Sequence, residues 1–200
     1  VGSEMCIRDR FGVVLDANVL YPSLLRDVLL ELACNRVYRP VWSDSILDEL
    51  EAVIRRKNND RSALEMGIDS YITRLKSHMN KAFPDALVSG TQELRLDLPD
   101  LKDVHVVACA VSGNAELIVT NNLRDFPKEK LPGDIEAISP SDFLLDCQDL
   151  HPSAFVRALG QIAARSGKNG LPINSFDDLV NHINDKWCPG IRETLAKQRF

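Results

Sequence analysis

The stretch "FGVVLDANVL", from Phe11 to Leu20, decides the fold because it reads as a buried strand that ends in an acid. Its first residues are apolar without polar alternation, which is typical of a strand covered on both faces of a parallel sheet. A buried strand does not accommodate a carboxylate. Asp16 therefore either ends the strand as a turn residue or places a carboxylate there for chemistry.

Strand and helix patterns alternate along the chain after this stretch. They are "LLRDVLLELACN" (helix), "VYRPVWSD" (strand), 45–57 (helix), 62–82 (helix), "VHVVACAVSG" (helix), "AELIVTNN" (strand) and "DIEAIS" (strand). Ser43, Asp44 and Ser45 are all good caps for the helix 45–57, and Ser45 with Asp48 resembles a capping box. Alternating strands and helices predict an α/β fold of three layers, α/β/α, with a central, mainly parallel sheet.

The pattern divides the chain into three parts. Residues 1–10, "VGSEMCIRDR", have no apolar core of a secretory signal and no periodicity, so we expect a leader that is disordered or non-native. Residues 11–147 form the main domain. The composition changes near "CQDLHPS", and helical patterns around Phe155 and Leu179 predict a small α-helical extension over 148–200.

Composition and charge limit the classes of function. The apolar fraction of 44% suits a globular core, and no apolar run approaches the ~18–20 residues that span a bilayer. Five scattered cysteines without a C-x-x-C pair favour a reducing cytoplasm. The net charge is −5, although 151–200 carries +3 and the rest −8. Such a chain is no general polyanion binder, but it can handle nucleic acid if its acids surround metal ions.

Several polar residues are predicted at one edge of the sheet. Ligands of open parallel sheets bind outside the carboxyl ends of the strands. Asp16 ends the first strand, and Thr120 follows "ELIV". Asp103 begins the helix "VHVVACAV" on the apolar stripe that must face the sheet. Capping of that helix together with Asp100 is the alternative for Asp103.

The helix 45–57 offers further acids. At about 100° per residue, Asp48 falls opposite the apolar stripe, whereas Glu49 and Glu51 flank the stripe on either side at similar angles. Geometry leaves the choice between the two glutamates open. Three carboxylates brought together would raise one another's pKa values. Mg²⁺ or Mn²⁺ would remove that repulsion and would suit phosphodiester hydrolysis.

Three segments together resemble the PIN domain family over about residues 11–146. They are "VVLDANVLYPS", "SDSILDELEAVI" and "DLKDVHVVACAVSGNAELIVTNNLRDFP", and the most similar branch is the VapC-type toxins of bacterial toxin–antitoxin pairs. The resemblance implies a Mg²⁺- or Mn²⁺-dependent endoribonuclease. It also implies RNA as substrate and an antitoxin protein as partner, while an exposed apolar helix face would favour a homodimer.

The resemblance further implies the roles of individual residues. The catalytic set would be Asp16, Glu49, Asp103 and Asn122, so that Glu49 is chosen over Glu51. Asn18 and Thr120 would support Asp16. The fourth position is an aspartate in one form of the family, and Asn122 supplies no charge there. Asp125 could replace it, which makes the metal ligands Asp16, Glu49, Asp103 and Asp125.

Two other functions fit part of the sequence. A haloacid-dehalogenase-type phosphatase also begins with a strand ending in Asp, but it needs a second Asp where this chain has Asn18. It also gives no role to Asp103. A non-cleaving PIN-like scaffold that binds RNA or an antitoxin is favoured by the neutral Asn122 and disfavoured by the clustered carboxylates.

Overall fold

Five parallel strands form the centre of the protein. The computed structural model describes residues 11–58, 65–89, 94–166, 173 and 175–197. The strands are β1 (Gly12–Leu15), β2 (Arg39–Ser43), β3 (Leu87–Val88), β4 (Leu117–Val119) and β5 (Glu136–Ile138). They lie in the order β3-β2-β1-β4-β5, and every neighbouring pair is parallel.

The α-helices of the described residues connect and follow these strands. They are α1 (Ala17–Leu20), α2 (Ser23–Cys34), α3 (Asp44–Asn58), α4 (Glu65–Ala82), α5 (Val104–Ser112), α6 (Pro140–Leu150), α7 (Pro152–Ser166), α8 (Phe176–Lys186) and α9 (Ile191–Lys197). Short 3₁₀ turns occupy Leu101–Asp103, Leu123–Asp125 and Lys128–Lys130.

The first strand is central, as its sequence predicts. β1 pairs with β2 on one side and with β4 on the other, and Val13, Val14 and Leu15 are fully buried. Helix α5 contacts β1, β2 and β4. Helix α2 contacts β2 and also packs against α7. The predicted α/β/α architecture with a parallel sheet is confirmed.

Helix α7, the first helix after α6, packs on α2 through apolar and polar contacts. Phe155 and Leu159 of α7 are fully buried and belong to the same core as the sheet residues. Arg157 donates from Nε to Asn35 Oδ1 at 2.9 Å, and the Asn35 amide donates to Gln161 at 2.8 Å. Helix α6 runs across the predicted boundary at 147/148. The division into 11–147 and 148–200 stays a prediction, and 1–10 lies outside the described residues.

Some local predictions differ from the structure. Helix α3 begins at Asp44, and the Ser43 hydroxyl accepts the Ile46 N–H at 3.3 Å, so Ser43 rather than Ser45 caps it. The sequence patterns also missed α6, α9 and the short β3. Among the described residues, no helix combines the length and apolarity needed to cross a membrane.

Gly113 allows the end of α5 to approach the sheet closely. A Cβ at Gly113 would lie 2.6 Å from Val41 Cγ1 and 3.0 Å from the Cys109 carbonyl oxygen. The first of these atoms belongs to β2, so no side chain fits between the helix end and the strand. Gly160, inside α7, has no atom within 4 Å of the same position.

We expect Gly113→Ala and Gly160→Ala to change stability in opposite directions. Overpacking at Gly113 should lower the free energy of unfolding by ~1–3 kcal/mol. At Gly160 alanine should raise it by ~0.5–1 kcal/mol, because glycine loses more backbone entropy in a helix. Urea denaturation of both variants beside the wild type measures this. Equal destabilisation by both substitutions would contradict the close approach at Gly113.

Candidate active site

Polar side chains gather where β1 and β4 end. Asp16 follows β1 directly, and its backbone N–H donates to the Val119 carbonyl at 3.2 Å. Thr120 follows Val119 and is fully buried. Because the strands are parallel neighbours, both residues lie at the carboxyl edge of the sheet, as the sequence predicts.

The Thr120 hydroxyl holds the Asp16 carboxylate in place. It donates to Asp16 Oδ2 at 2.7 Å and accepts from Asn18 Nδ2 at 2.9 Å and from the Asn122 backbone N–H at 3.0 Å. A hydroxyl has one proton and two lone pairs, so these bonds use its full capacity. Its orientation is therefore fixed by the structure around it.

Asn18 supports the same carboxylate from the first turn of α1. Its Nδ2 donates to Asp16 Oδ2 at 2.6 Å, and its Oδ1 accepts the Asn121 backbone N–H at 3.0 Å. The amide thus links Asp16 to the loop after β4. The structure places Asn18 and Thr120 where the resemblance implied supporting residues, and it adds the Asn121 backbone, which no sequence pattern indicated.

Asp16 is held in an environment that disfavours its charge. Only 5% of the residue is exposed, and this burial raises the pKa of its carboxyl group. The hydrogen bond from Thr120 opposes the increase, and the negative charge of Glu49 adds to it. The Asp16 carboxylate therefore accepts several hydrogen bonds. None of the causes that shift its pKa is a positively charged side chain of the described residues.

Asp103 faces the same region from the 3₁₀ turn that precedes α5. Asp100 caps this turn by accepting the Lys102 N–H at 2.9 Å, while the Asp103 side chain makes no capping hydrogen bond. Burial raises the pKa of Asp103 to about 6, and the charge of Asp16 is the next cause. The charges of Asp100, Asp125 and Glu49 contribute further. Half-burial among other acids fits the helix phase that predicted an inward-facing carboxylate.

The structure separates the two glutamates that helical geometry left equivalent. Glu51 binds Lys76 at 2.7 Å and Arg55 at 2.8 Å, and these bonds lower the pKa of its carboxyl group. Glu49 instead lies on the side of Asp16 and Asp103, whose pKa values its charge raises. Glu49, the residue chosen by family resemblance, is thus the one brought to this edge.

His105 is a neighbour of Glu49 that sequence analysis did not single out. Its Nε2 lies 3.5 Å from Glu49 Oε2, which is an ion-pair distance rather than a short hydrogen bond. Its Nδ1 lies 2.6 Å from the Lys102 carbonyl oxygen, so Nδ1 carries a proton. The contact with Glu49 raises the pKa of His105. Its position two residues after Asp103 was the only signal available in the sequence.

The two candidates for the fourth position contact each other. The Asn122 side-chain amide donates to the Asp125 carboxylate within one 3₁₀ turn. Asp125 also adds negative charge near Asp103. Both side chains therefore lie at the fourth position, where the Asn122 amide is hydrogen-bonded to the Asp125 carboxylate.

The donor set suits a hard divalent cation in kind. Asp16, Glu49, Asp103 and Asp125 offer only carboxylate oxygens, and burial with mutual repulsion raises the pKa values of Asp16 and Asp103. Within the part of the chain that the structure describes, however, no three His, Cys, Asp or Glu side chains converge as a metal-binding group. The Glu49 carboxylate contacts His105, and the Asp125 carboxylate accepts a hydrogen bond from Asn122.

Comparisons relate the chain to known proteins. A family model described as "PIN domain" matches residues 12–124. Over 84 residues the chain is 54% identical to a protein of Mycobacterium tuberculosis named "Putative ribonuclease VapC50", and the match covers 41% of this chain and 50% of that protein. The chain thus spans about half the length of this curated relative. No solved structure matches the chain.

We expect Asp103→Asn to stabilise the metal-free protein as the pH rises. The pKa of Asp103 is raised from 3.8 to about 6, so the folded state binds its proton more tightly than the unfolded state. The wild type should therefore lose stability relative to Asp103→Asn between these pH values. Because the side chain is partly exposed, we expect a difference on the order of 1 kcal/mol above this window. Urea denaturation across pH, with a chelator present, measures it.

Glu51→Gln is the matched control for this experiment. Lys76 and Arg55 lower the pKa of Glu51, so its contribution to stability is present above the unfolded-state value of 4.5 and is lost in acid. Neutralising Glu51 should consequently destabilise the protein at neutral pH, the opposite of Asp103→Asn. The same sign for both variants would show that Asp103 does not experience the proposed repulsion.

Proposed function

Because the chain belongs to the PIN domain family, we propose that it is a metal-dependent endoribonuclease and the toxin component of a type II toxin–antitoxin pair. One observation carries the proposal: the charges of Asp16, Glu49 and Asp125 all raise the pKa of Asp103 at the carboxyl edge of the sheet. A protein gains no stability from such repulsion, so the arrangement is better explained by a positively charged ligand.

In this proposal Mg²⁺ or Mn²⁺ is held by Asp16, Glu49, Asp103 and Asp125. When bound, such a cation lowers the pKa of a water molecule and neutralises charge on phosphate oxygens. Thr120 and Asn18 keep the Asp16 carboxylate in one orientation through bonds of 2.7 and 2.6 Å.

The remaining polar side chains of the edge act in this proposal through the carboxylates they contact. His105 orients Glu49, and the Asn122 amide orients Asp125. Asp125 then supplies the charge of the fourth position, and Asn122 supports it. Under this arrangement Asp125→Ala is more damaging to activity than Asn122→Ala.

The substrate and partner follow from family and relative. The curated relative is named a ribonuclease, which favours RNA as substrate, and a VapC-type toxin would be held inactive by an antitoxin. The proposed nuclease domain is 11–147, with 148–200 as a helical extension. The phosphatase alternative is disfavoured, because Asn18 is an amide that donates to Asp16 and Thr120 and accepts from Asn121, and an amide cannot serve as the acid that this chemistry needs.

We expect the wild type to hydrolyse a mixed single-stranded RNA pool with Mg²⁺ or Mn²⁺ and to stop when a chelator is added. Asp16→Asn and Asp103→Asn should each lower the rate by about 100-fold or more, because each removes a carboxylate that would hold the cation, and the cation would neutralise charge on the reacting phosphate. Asp48→Asn should keep the wild-type rate. Asp48 is exposed on another face of α3, where it pairs with Lys76 of α4. Initial rates from gel-resolved products measure these effects.

Three outcomes would contradict the nuclease proposal. They are equal activity of all four proteins, RNA binding without cleavage at any metal concentration, and hydrolysis of a simple phosphomonoester but not of RNA. The second would support a non-cleaving scaffold, and the third a phosphatase. Unfolding does not account for a loss in Asp103→Asn, because we expect that variant to be more stable than the wild type without metal.

Expression of the wild type in a bacterial host should arrest growth, whereas Asp16→Asn should not. Co-expression of the product of the neighbouring reading frame should restore growth if that product is the antitoxin. Growth curves with and without the neighbour measure this. Normal growth together with RNA cleavage in vitro would indicate a housekeeping nuclease instead.

A further inference from the structure

Two short turns beside the candidate site share a sequence pattern and a backbone conformation. The first turn is 100–103, "DLKD", and the second turn is 122–125, "NLRD". In the first turn the N–H of the fourth residue donates to the carbonyl of the first at 3.2 Å, and in the second turn the same bond is 3.1 Å. Each turn therefore presents a leucine, a cation and an acid in the same local order.

The 3₁₀ conformation separates these side chains. With about three residues per turn, the first and fourth residues lie on one side, and the two middle residues point elsewhere. Asn122 accordingly donates to Asp125, and the charge of Asp100 raises the pKa of Asp103. The middle leucines are exposed, Leu101 by 68% and Leu123 by 40%. Each turn thus directs its acid to the site and its leucine to solvent.

The two turns are neighbours in space. The first turn leads into α5, which contacts β1 and β4, and the second turn follows β4 at the edge where Thr120 binds Asp16. The charge of Asp125 in the second turn also acts on Asp103 in the first turn. Just outside the turns, Lys130 forms an ion pair with Asp97 at 3.1 Å, which ties the two flanking segments together. The two turns therefore flank the same group of carboxylates.

The cations of the turns have no ion-pair partner in the described part of the chain, although acids lie nearby. Lys102 and Arg124 are exposed, and neither forms an ion pair with any residue that the structure describes. By contrast, the nearby Lys128 and Lys130 are paired with Glu136 and Asp97. Two exposed cations that lack an ion-pair partner among the described residues, each in a turn beside the acidic centre, match a ligand whose anionic groups repeat along a chain.

We propose that the two turns grip single-stranded RNA on both sides of the phosphate that is cut, with Lys102 and Arg124 on flanking phosphates and Leu101 and Leu123 against ribose or base. The assignment of RNA rests on the proposed function. Isolated exposed leucines next to cations do not form the continuous apolar patch that a protein partner would need. They do suit a nucleic acid chain, whose phosphates dominate affinity and whose bases offer apolar faces.

Salt dependence of binding tests the two cations. For single strands each phosphate contact contributes a slope of about −0.7 in the logarithm of affinity against the logarithm of salt. Lys102→Gln and Arg124→Gln should each reduce the slope by about 0.7 and weaken binding about fivefold near 0.1 M salt, and the double variant should lose about twice the slope. Leu101→Ala and Leu123→Ala should weaken binding with the slope unchanged. Fluorescence anisotropy with a short labelled RNA and metal-free full-length protein measures all of these.

Arg36→Gln is the matched control, because it removes the same charge from an exposed residue before β2, at the opposite edge of the sheet. A slope equal to that of Arg36→Gln in both cation variants would overturn the grip, and so would RNA binding too weak to measure in the metal-free wild type. Cleavage assays keep the two proposals separate. Reduced slopes without cleavage would sink the nuclease and leave the grip, whereas cleavage with an unchanged KM in both cation variants would sink the grip alone.

Discussion

The hydrogen bond from the Thr120 hydroxyl to the Asp16 carboxylate is the contact on which the site depends. It joins the ends of β1 and β4, two strands that come from opposite halves of the main domain. The same hydroxyl accepts from Asn18 and from the loop after β4, so the carboxylate and both chain segments are fixed together. Without this bond a buried carboxylate would carry a large desolvation cost at the centre of the fold.

The arrangement of acids around this contact opposes stability, and for this reason we propose a cationic ligand for the site. Glu51, a carboxylate of α3 outside this arrangement, has cationic partners in Lys76 and Arg55. Burial raises the pKa values of Asp16 and Asp103, and the negative charges of nearby acids such as Glu49 raise them further. The protein thus contains acids that are paired with cations, such as Glu51, and acids that are grouped with other acids, such as Asp16 and Asp103. Only the second kind leaves negative charge available for a ligand.

The sequence predicted the features that depend on local pattern. The buried strand before Asp16, the inward phase of Asp103 and the parallel sheet are all periodicity signals, and they agree with the structure. The choice between Glu49 and Glu51 depends on Lys76 of α4, and the role of His105 depends on a contact across 56 positions of the chain, so neither was accessible locally. Helix α6 was missed although the Ser139 hydroxyl caps it by accepting the Asp142 N–H at 3.1 Å, because the composition change at "CQDLHPS" placed a predicted boundary inside this helix.

The hydrogen bond between Thr120 and residue 122 uses the backbone N–H of Asn122, not its side chain. Mutation at this position can therefore exchange an acid for an amide while the support of Asp16 stays intact. Asp125, three residues later in the same turn, keeps a negative charge within reach of Asp103. In the loop after β4, the charge of the site and the support of Asp16 therefore depend on different atoms, so that one can change while the other stays.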